Sequence, residues 1–143
     1  MNEITKSLAK EQIIADEGIR NSVYMCTENF KTCGIGHKIT SDDEDLYALS
    51  VGDIVNEDRV KELFDQDFNK CIEDCKTLFG KDWESYDPQI QIVATNMCFQ
   101  MGRYGLSKFK KWKKALDQRD YQQMAKEMQD SRWYKQTTNR AER

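Results

Sequence analysis

The feature that most constrains the fold is an apolar pattern in the middle of the chain, spaced like one face of an α-helix. Asn56 is a suitable N-cap, and the pattern predicts a helix over residues 57–78. At the standard rise per residue this helix is about 33 Å long, which is long for a domain of this size. We therefore expect it to connect a small N-terminal lobe with a helical C-terminal lobe. Its apolar residues are Val60, Phe64, Phe68, Cys71, Ile72, Cys75 and Phe79.

Before this helix, the sequence changes from helical to strand character. Ser7 is a candidate N-cap for a first helix that ends at Glu17, because Gly18 suits the position after a helix end. Strand-forming residues follow between 21 and 37, and "TEN" at 27–29 predicts a turn. We expect a small β-hairpin here, with room for one further strand in the irregular stretch that follows.

The C-terminal half is predicted to be helical. A largely apolar helix follows Pro88 and ends at Gly102, with shorter helices near 106–115 and 119–129. The expected class is α+β, predominantly helical, in one domain over residues 1–143. Its parts are a hairpin lobe at about 12–58, a connecting helix at 57–78, and a C-terminal lobe of 79–143 plus the N-terminal helix.

Cysteine usage and hydropathy exclude several classes of protein. The five cysteines and the lack of a signal peptide argue against a disulfide framework, so we expect free thiols and synthesis in a cytosol. The pair Cys71 and Cys75 with one histidine is a weak metal motif, and small buried apolar side chains are the favoured interpretation. No apolar run is long enough for a transmembrane helix. We expect no metal and no cofactor.

Charge is distributed unevenly along the chain. The segment 41–75 carries twelve acidic and three basic residues, whereas the segment 103–114, "RYGLSKFKKWKK", carries six basic residues and no acid. A basic segment with interleaved aromatics is compatible with binding to nucleic acid, an anionic glycan or a membrane surface. The favoured interpretation is a solvated helix face, so we expect neither nucleic-acid binding nor stable membrane insertion.

Glu17 is a candidate functional residue because it stands where a stable helix would carry a cation. The unpaired carbonyls at a helix C-terminus disfavour a carboxylate and favour its protonated form. A carboxyl group that keeps its proton near neutral pH is what a general acid requires. An exposed glutamate at a frayed helix end is the alternative.

The predicted hairpin brings further candidates together. Cys26 and Thr32 are six residues apart, so in a hairpin folded near residue 29 they share a face, and Cys33 points to the other. A thiol beside a hydroxyl can bind water or supply a nucleophile. His37 is the only histidine and follows two glycines, and without a serine or cysteine partner a structural role is the ordinary one.

The stretch "DEGIRNSVYMCTENFKTCGIGHKIT" resembles the active-site segment of the phage-type lysozymes, the T-even phage lysozyme family. Three further blocks resemble that family in its order: "KELFDQDF", "NMCFQMG" and "SRWYKQTTNRAER". The resemblance implies a lysozyme-like fold with the substrate cleft between a hairpin lobe and a helical lobe. It also implies an N-acetylmuramidase whose partner is bacterial peptidoglycan.

The family's roles transfer to matching residues as expectations. Glu17 resembles the general acid, Thr32 the threonine that holds the attacking water, and Arg140 the arginine that orients the glutamate. His37 and Asp67 resemble a structural ion pair. The resemblance also implies a set of substrate-binding residues: Tyr24, Glu28, Gly36, Ile39, Phe99, Gln100 and Thr137.

Cys26 departs from the family, which usually has an aspartate there. Glycoside hydrolysis normally uses two carboxyl groups, one as acid and one to guide water or attack the sugar. A Cys26 thiolate, with its pKa lowered by Arg20 or Arg140, is the favoured replacement. Two alternatives stay open: Glu28 reaches into the site, or the protein is a catalytically silent glycan-binding module.

The other departures concern the setting of the protein. The family usually continues into a final helix beyond "NRAER", so we expect modest stability or an oligomer contact there, although a monomer is the favoured state. An endolysin made in the host cytoplasm would reach the periplasmic peptidoglycan through a holin-type lesion, with the basic segment attracting the anionic substrate. A virion-associated lysozyme is the alternative setting.

Alkylation or oxidation of Cys26 is expected to inhibit peptidoglycan hydrolysis, because the thiolate replaces the missing carboxylate. Reduction should restore activity after reversible oxidation. The measurement is turbidity loss of peptidoglycan suspensions with mass spectrometry of the labelled protein. Full activity in a protein verified as alkylated at Cys26 would contradict this role.

Overall fold

The structure, a computed structural model, describes residues 1–107, and Met1–Gly102 forms one compact unit. Helices and a small sheet make up this unit, which confirms the predicted α+β class. The predicted helices near 106–115 and 119–129 lie outside the described residues or extend beyond them. The division into lobes at 12–58, 57–78 and 79–143 stays a prediction.

Helix α1 runs over Glu3–Glu17 and begins earlier than the sequence predicted. The Asn2 side chain accepts a hydrogen bond of 2.8 Å from the backbone N–H of Thr5, so Asn2 is the N-cap and the prediction of Ser7 was wrong. The helix ends as predicted: Gly18 has φ of 72° and donates its N–H to the Ile14 carbonyl at 2.8 Å. Glu17 is therefore fixed as the last helical residue.

A three-stranded antiparallel sheet follows in the order β1–β2–β3, with β1 at Arg20–Met25, β2 at Lys31–Gly34 and β3 at His37–Lys38. The hairpin is confirmed, and β3 extends it. Tyr24 lies opposite Thr32 and Met25 opposite Lys31, so the hairpin is centred on residue 28 rather than 29. Cys26 lies one residue beyond β1, at the start of the turn, and donates its N–H to the Phe30 carbonyl at 3.0 Å.

The segment between the sheet and the central helix packs along the other side of β1. It contains the short helix α2, Glu44–Tyr47, and an isolated bridge between Ser22 and Ile54. The Val23 N–H bonds the Asp53 carbonyl at 2.9 Å, and the Val55 N–H bonds the Asn21 carbonyl at 2.8 Å. The further strand that the sequence allowed is therefore an isolated bridge.

The central helix α3 spans Glu57–Phe79, as the apolar pattern predicted. The Asn56 side chain caps it by accepting from the Asp58 N–H at 2.8 Å. Its apolar face packs against β2 and β3, and the Val60 side chain lies so close to Gly34 that an added Cβ would sit 3.1 Å from it. The sheet and α3 therefore share one core, which also includes Ala9 and Ile13 of α1.

A 3₁₀ helix, Gly80–Ser85, leads to helix α4 at Pro88–Ser107. Gly102 has a non-helical φ of 74° and divides α4 into two helical segments, so the predicted helix end at Gly102 is confirmed. Phe79, Trp83 and Tyr86 form an aromatic cluster where α3 leads toward α4, with the Phe79 and Trp83 rings stacked at 5.8 Å.

The cysteines are free thiols, as predicted. Cys71, Cys75 and Cys98 are buried, and hydrogen bonding to Cys98 together with burial raises the pKa of Cys71 and of Cys75. These thiols stay protonated and act as small apolar side chains. Across the described part of the chain, no cluster of three or more His, Cys, Asp or Glu residues is arranged to bind a metal ion.

His37 ties the sheet to α3 and to the loop before α2. Its Nδ1 lies 2.7 Å from Asp67 and its Nε2 lies 2.9 Å from Asp43, a partner that the sequence did not indicate. Because carboxylates only accept hydrogen bonds, both ring nitrogens must donate, and the ring is an imidazolium. Burial lowers the pKa of His37, but hydrogen bonds and charge from both carboxylates outweigh burial and raise it overall.

This network predicts how stability depends on pH. The folded state raises the pKa of His37. The contribution of His37 to the free energy of unfolding is therefore complete below the unfolded pKa of about 6.5, and it is lost as pH rises through the folded pKa. His37→Asn should lower the free energy of unfolding by roughly 2 kcal/mol below pH 6 and flatten its decline above that pH. Urea unfolding from pH 5 to pH 9 measures both; an unchanged slope in the variant would contradict the assignment.

Candidate active site

The site is built where the end of α1 meets the sheet and α4. Glu17 is half-buried, and its Oε1 accepts a hydrogen bond of 2.6 Å from Nε2 of Gln100. Gln100 lies on α4, far from Glu17 in sequence. The sequence placed both residues in the cleft but did not indicate this bond, which fixes the orientation of the carboxyl group.

Gly36 packs directly against the Glu17 carboxyl group. It has φ of 65°, and an added Cβ would sit only 2.8 Å from Oε2 of Glu17. A side chain here would both strain the backbone and displace the carboxylate. The glycine that the resemblance placed along the groove is therefore required by its contact with Glu17.

Cys26 is half-buried and its thiol is surrounded by hydrogen-bond donors. Burial raises the pKa of Cys26, but hydrogen bonds from the backbone of Phe30 and Glu28 and from the Thr32 side chain, with charge from Lys38, outweigh it and lower the pKa overall. The sequence analysis expected Arg20 to lower the pKa of Cys26. The Arg20 guanidinium instead lies over the Tyr24 ring at 4.4 Å, and the groups named above lower that pKa. The turn itself favours the thiolate.

Thr32 lies beside Cys26 and is only 2% exposed. Its hydroxyl donates to the Phe30 carbonyl at 2.9 Å, which holds the side chain at the start of β2. The predicted pairing of the thiol with the hydroxyl on one face of the hairpin is present. A water molecule bound there would have a sulfur and an oxygen partner.

Tyr24 is partly buried, and the Arg20 guanidinium lies over its ring at 4.4 Å. Burial raises the pKa of its phenol, and the negative charges of Glu17, Cys26 and Cys33 act in the same direction, whereas the charge of Arg20 opposes them.

Glu28 faces a different partner. Its carboxylate is exposed and bonds Nζ of Lys38 at 2.6 Å, and Lys38 also lies 5.1 Å from the centre of the Phe30 ring. The alternative in which Glu28 replaces the missing aspartate is not supported by this geometry. Its backbone N–H, rather than its carboxylate, contacts Cys26.

The remaining predicted site residues have different surroundings. The Ile39 side chain belongs to the hydrophobic core, and its N–H pairs with the Lys31 carbonyl as β3 ends. Its place along the substrate groove stays a prediction. Phe99 is partly buried and contacts Phe64 at 5.9 Å between ring centres. Arg140 and Thr137 lie outside the described residues.

Asn96 is a site-adjacent residue that the sequence analysis did not single out. It is 6% exposed and donates to the Asp16 carboxylate at 3.0 Å. The sequence could have indicated this residue, because "NMCFQ" places Asn96 one helical turn from Gln100, on the same face of α4.

Gly36→Ala should destabilise the protein more than Gly80→Ala. Both glycines have φ of 65°, so alanine strains both by about 1 kcal/mol, but only at Gly36 does the added Cβ meet another group, Glu17. We expect an additional loss of about 1–2 kcal/mol at Gly36 in urea unfolding. Equal losses in the two variants would show that the carboxyl group moves aside without cost.

Comparison with known proteins agrees with this geometry. The family model for phage lysozyme matches residues 15–142. The chain is 32% and 30% identical to proteins named probable T4-type lysozymes 1 and 2 of Dictyostelium discoideum, each covering 96% of this chain and 91% of the relative. It is 30% identical to the pre-baseplate central spike protein Gp5 of Enterobacteria phage T4 over 93% of this chain.

The coverage of these relatives differs. The chain spans about a quarter of the spike protein, 26% of its length, but nearly all of the two lysozymes.

Within residues 1–107, no helix combines the length and apolar character that a membrane crossing requires. The family and the two named lysozymes support a muramidase-like glycosidase function. The chain belongs to the phage lysozyme family.

Proposed function

We propose that this protein is an N-acetylmuramidase that hydrolyses the β-1,4 bond between N-acetylmuramic acid and N-acetylglucosamine in bacterial peptidoglycan. Glu17 is the general acid, and Cys26 with Thr32 positions and activates the water. The observation that carries the proposal is that the Glu17 carboxyl group is held by Nε2 of Gln100 at 2.6 Å and bordered by Gly36. A fixed proton donor is one of the two partners that glycoside hydrolysis needs, and we assign the other to Cys26 with Thr32.

The surroundings of Glu17 support the role of acid. The carboxyl group is held by Gln100 and bordered by Gly36, so its position is set by two elements outside α1. A proton donor must keep a fixed distance from the leaving oxygen, since small displacements reduce rates strongly. Arg140 is proposed as a further orienting neighbour, by resemblance to the family.

The surroundings of Cys26 support a thiolate in place of the usual aspartate. Its donors stabilise negative charge, and a thiolate with such donors is the reactive form of cysteine. Because Thr32 lies beside the sulfur, we favour the route in which the pair holds a water molecule over direct attack of sulfur on the sugar.

Glu17 gives its proton to the glycosidic oxygen as the bond from that oxygen to the anomeric carbon breaks. Water adds to the anomeric carbon and its proton passes to the Cys26 thiolate. Later exchange with solvent returns the proton to Glu17. Attack by water on the opposite face gives inversion, whereas a thioglycoside intermediate would give retention.

The setting that we propose is an endolysin that degrades host peptidoglycan during phage release and reaches it through a holin-type lesion. Synthesis in the host cytoplasm and action as a monomer are parts of this proposal. The match to a central spike protein keeps a virion-associated lysozyme as the alternative setting.

A second candidate function is a catalytically silent glycan-binding module. The observation that favours it is Cys26 itself, since it replaces the carboxylate that the family usually carries. The two candidates differ in bond cleavage and share glycan binding.

The test is release of reducing ends from purified peptidoglycan by the reduced protein. Glu17→Gln should lower the rate at least about 100-fold, Cys26→Ser should also lower it strongly, and Cys26→Asp should remain active. The matched control is Glu11→Gln, the same change at an exposed position of the same helix, which should leave the rate unchanged.

Two outcomes decide between the functions, and a third measurement decides between the two routes of hydrolysis. Activity that survives Glu17→Gln would exclude Glu17 as the acid. A parent protein that binds peptidoglycan but releases nothing between pH 5 and pH 8 would favour the silent module. Proton NMR of the first-formed product distinguishes inversion from retention, and thereby water attack from a thioglycoside.

A further inference from the structure

Two amide side chains of α4 contact the last two residues of α1. Asn96 donates to Oδ2 of Asp16 at 3.0 Å, and Gln100 donates to Oε1 of Glu17 at 2.6 Å. Asn96 and Gln100 are four residues apart and therefore lie on one face of α4. We call this set of four residues the amide clamp.

The clamp stabilises two carboxyl groups that lie where the end of α1 disfavours negative charge. Asp16 and Glu17 place two carboxyl groups at a helix C-terminus, and the last turn carries no basic residue. The partial negative charge of the terminal carbonyls repels both groups. Amide N–H groups from a neighbouring helix stabilise the carboxylates without adding a charge.

We propose that Asn96 is a positioning residue for Glu17, and this proposal rests on the proposed function. Asn96 is 6% exposed and holds Asp16, the residue next to Glu17 in the chain. By fixing Asp16 against α4, it sets the register in which Gln100 meets Glu17. Loss of the Asn96 bond therefore loosens the Gln100 bond, although Asn96 itself bonds to a different residue.

The two oxygens of Glu17 have different surroundings. Oε1 accepts from Nε2 of Gln100, and Oε2 is the oxygen next to Gly36. The clamp thus directs Oε2 toward the turn between β2 and β3.

Loss of the clamp has a predictable direction. The Glu17 carboxyl group is less well positioned without it, which lowers kcat more than it changes KM.

The experiment compares Asn96→Leu, Gln100→Met and the double variant with the parent protein. The matched control is Gln91→Met, which removes another buried amide of α4, one that bonds the Trp83 carbonyl at 2.8 Å. Solubilised peptidoglycan chains give kcat and KM for each protein, and thermal unfolding measures the stability of each protein.

For Asn96→Leu we expect kcat to fall roughly tenfold with KM changed less than about threefold. In the double variant, the Asn96 change should add little to the Gln100 change, because both act on one bond. Gln91→Met should lose stability and keep the parent's kcat and KM.

Two results would overturn the proposal. One is that Asn96→Leu loses stability like Gln91→Met and leaves kcat and KM as they are in the parent. The other is full additivity of the two clamp variants. If the parent releases no reducing ends, the proposed function fails separately, and additivity of the two clamp variants in thermal unfolding then decides whether Asn96 acts on the bond between Gln100 and Glu17.

Discussion

The hydrogen bond between Gln100 and Glu17 is the interaction on which the rest of the site depends. It joins the C-terminus of α1 to α4 across 83 positions of sequence, at 2.6 Å. A glutamate at a helix end is ordinarily mobile, because frayed turns and unpaired carbonyls do not hold it. Here Gly18 ends the helix sharply, Gly36 borders the carboxyl group, and Gln100 orients it. The Glu17 carboxyl group is thus held by three separate elements.

The hairpin turn has a similar role for Cys26. Backbone groups of Phe30 and Glu28 and the Thr32 hydroxyl hydrogen-bond with the sulfur, and the turn conformation supplies them, with a smaller contribution from the charge of Lys38. Asn29, with φ of 64°, allows the backbone to fold tightly around the thiol. A turn that presents N–H groups inward can stabilise an anion of either kind, carboxylate or thiolate. This explains how a cysteine can stand where the family usually carries an aspartate.

His37 links the end of the sheet, near Gly36 and the Glu17 carboxyl group, to the central helix α3. The imidazolium bonds Asp67 of α3 and Asp43 of the following loop, so the end of the sheet is tied to the central helix. The same sheet carries Thr32 and leads through Gly36 to the Glu17 carboxyl group. A buried cation between two carboxylates is stable only while all three partners are present. The ion network of His37, Asp43 and Asp67 therefore holds the sheet that carries the site residues against α3.

Much of the fold was set by local sequence. The apolar spacing predicted α3, Asn56 and Gly18 marked helix boundaries, and the turn at 27–29 predicted the hairpin, because these signals act over a few residues. The shared face of Cys26 and Thr32 followed from strand parity alone. The error at Ser7 has a local cause as well: Asn2 is the stronger cap, and nothing between them interrupts the helix.

Tertiary structure decided the rest. The Asp43 contact of His37, the inward packing of Ile39 and the contacts of Asn96 and Gln100 join residues far apart in the chain. No local propensity encodes such pairs, since each depends on how helices and the sheet pack. The sequence by itself determined which groups are available for acid and thiolate chemistry. Only the packing of α4 and the sheet against α1 decided how those groups are held, because hydrogen bonds require distances that spacing does not specify.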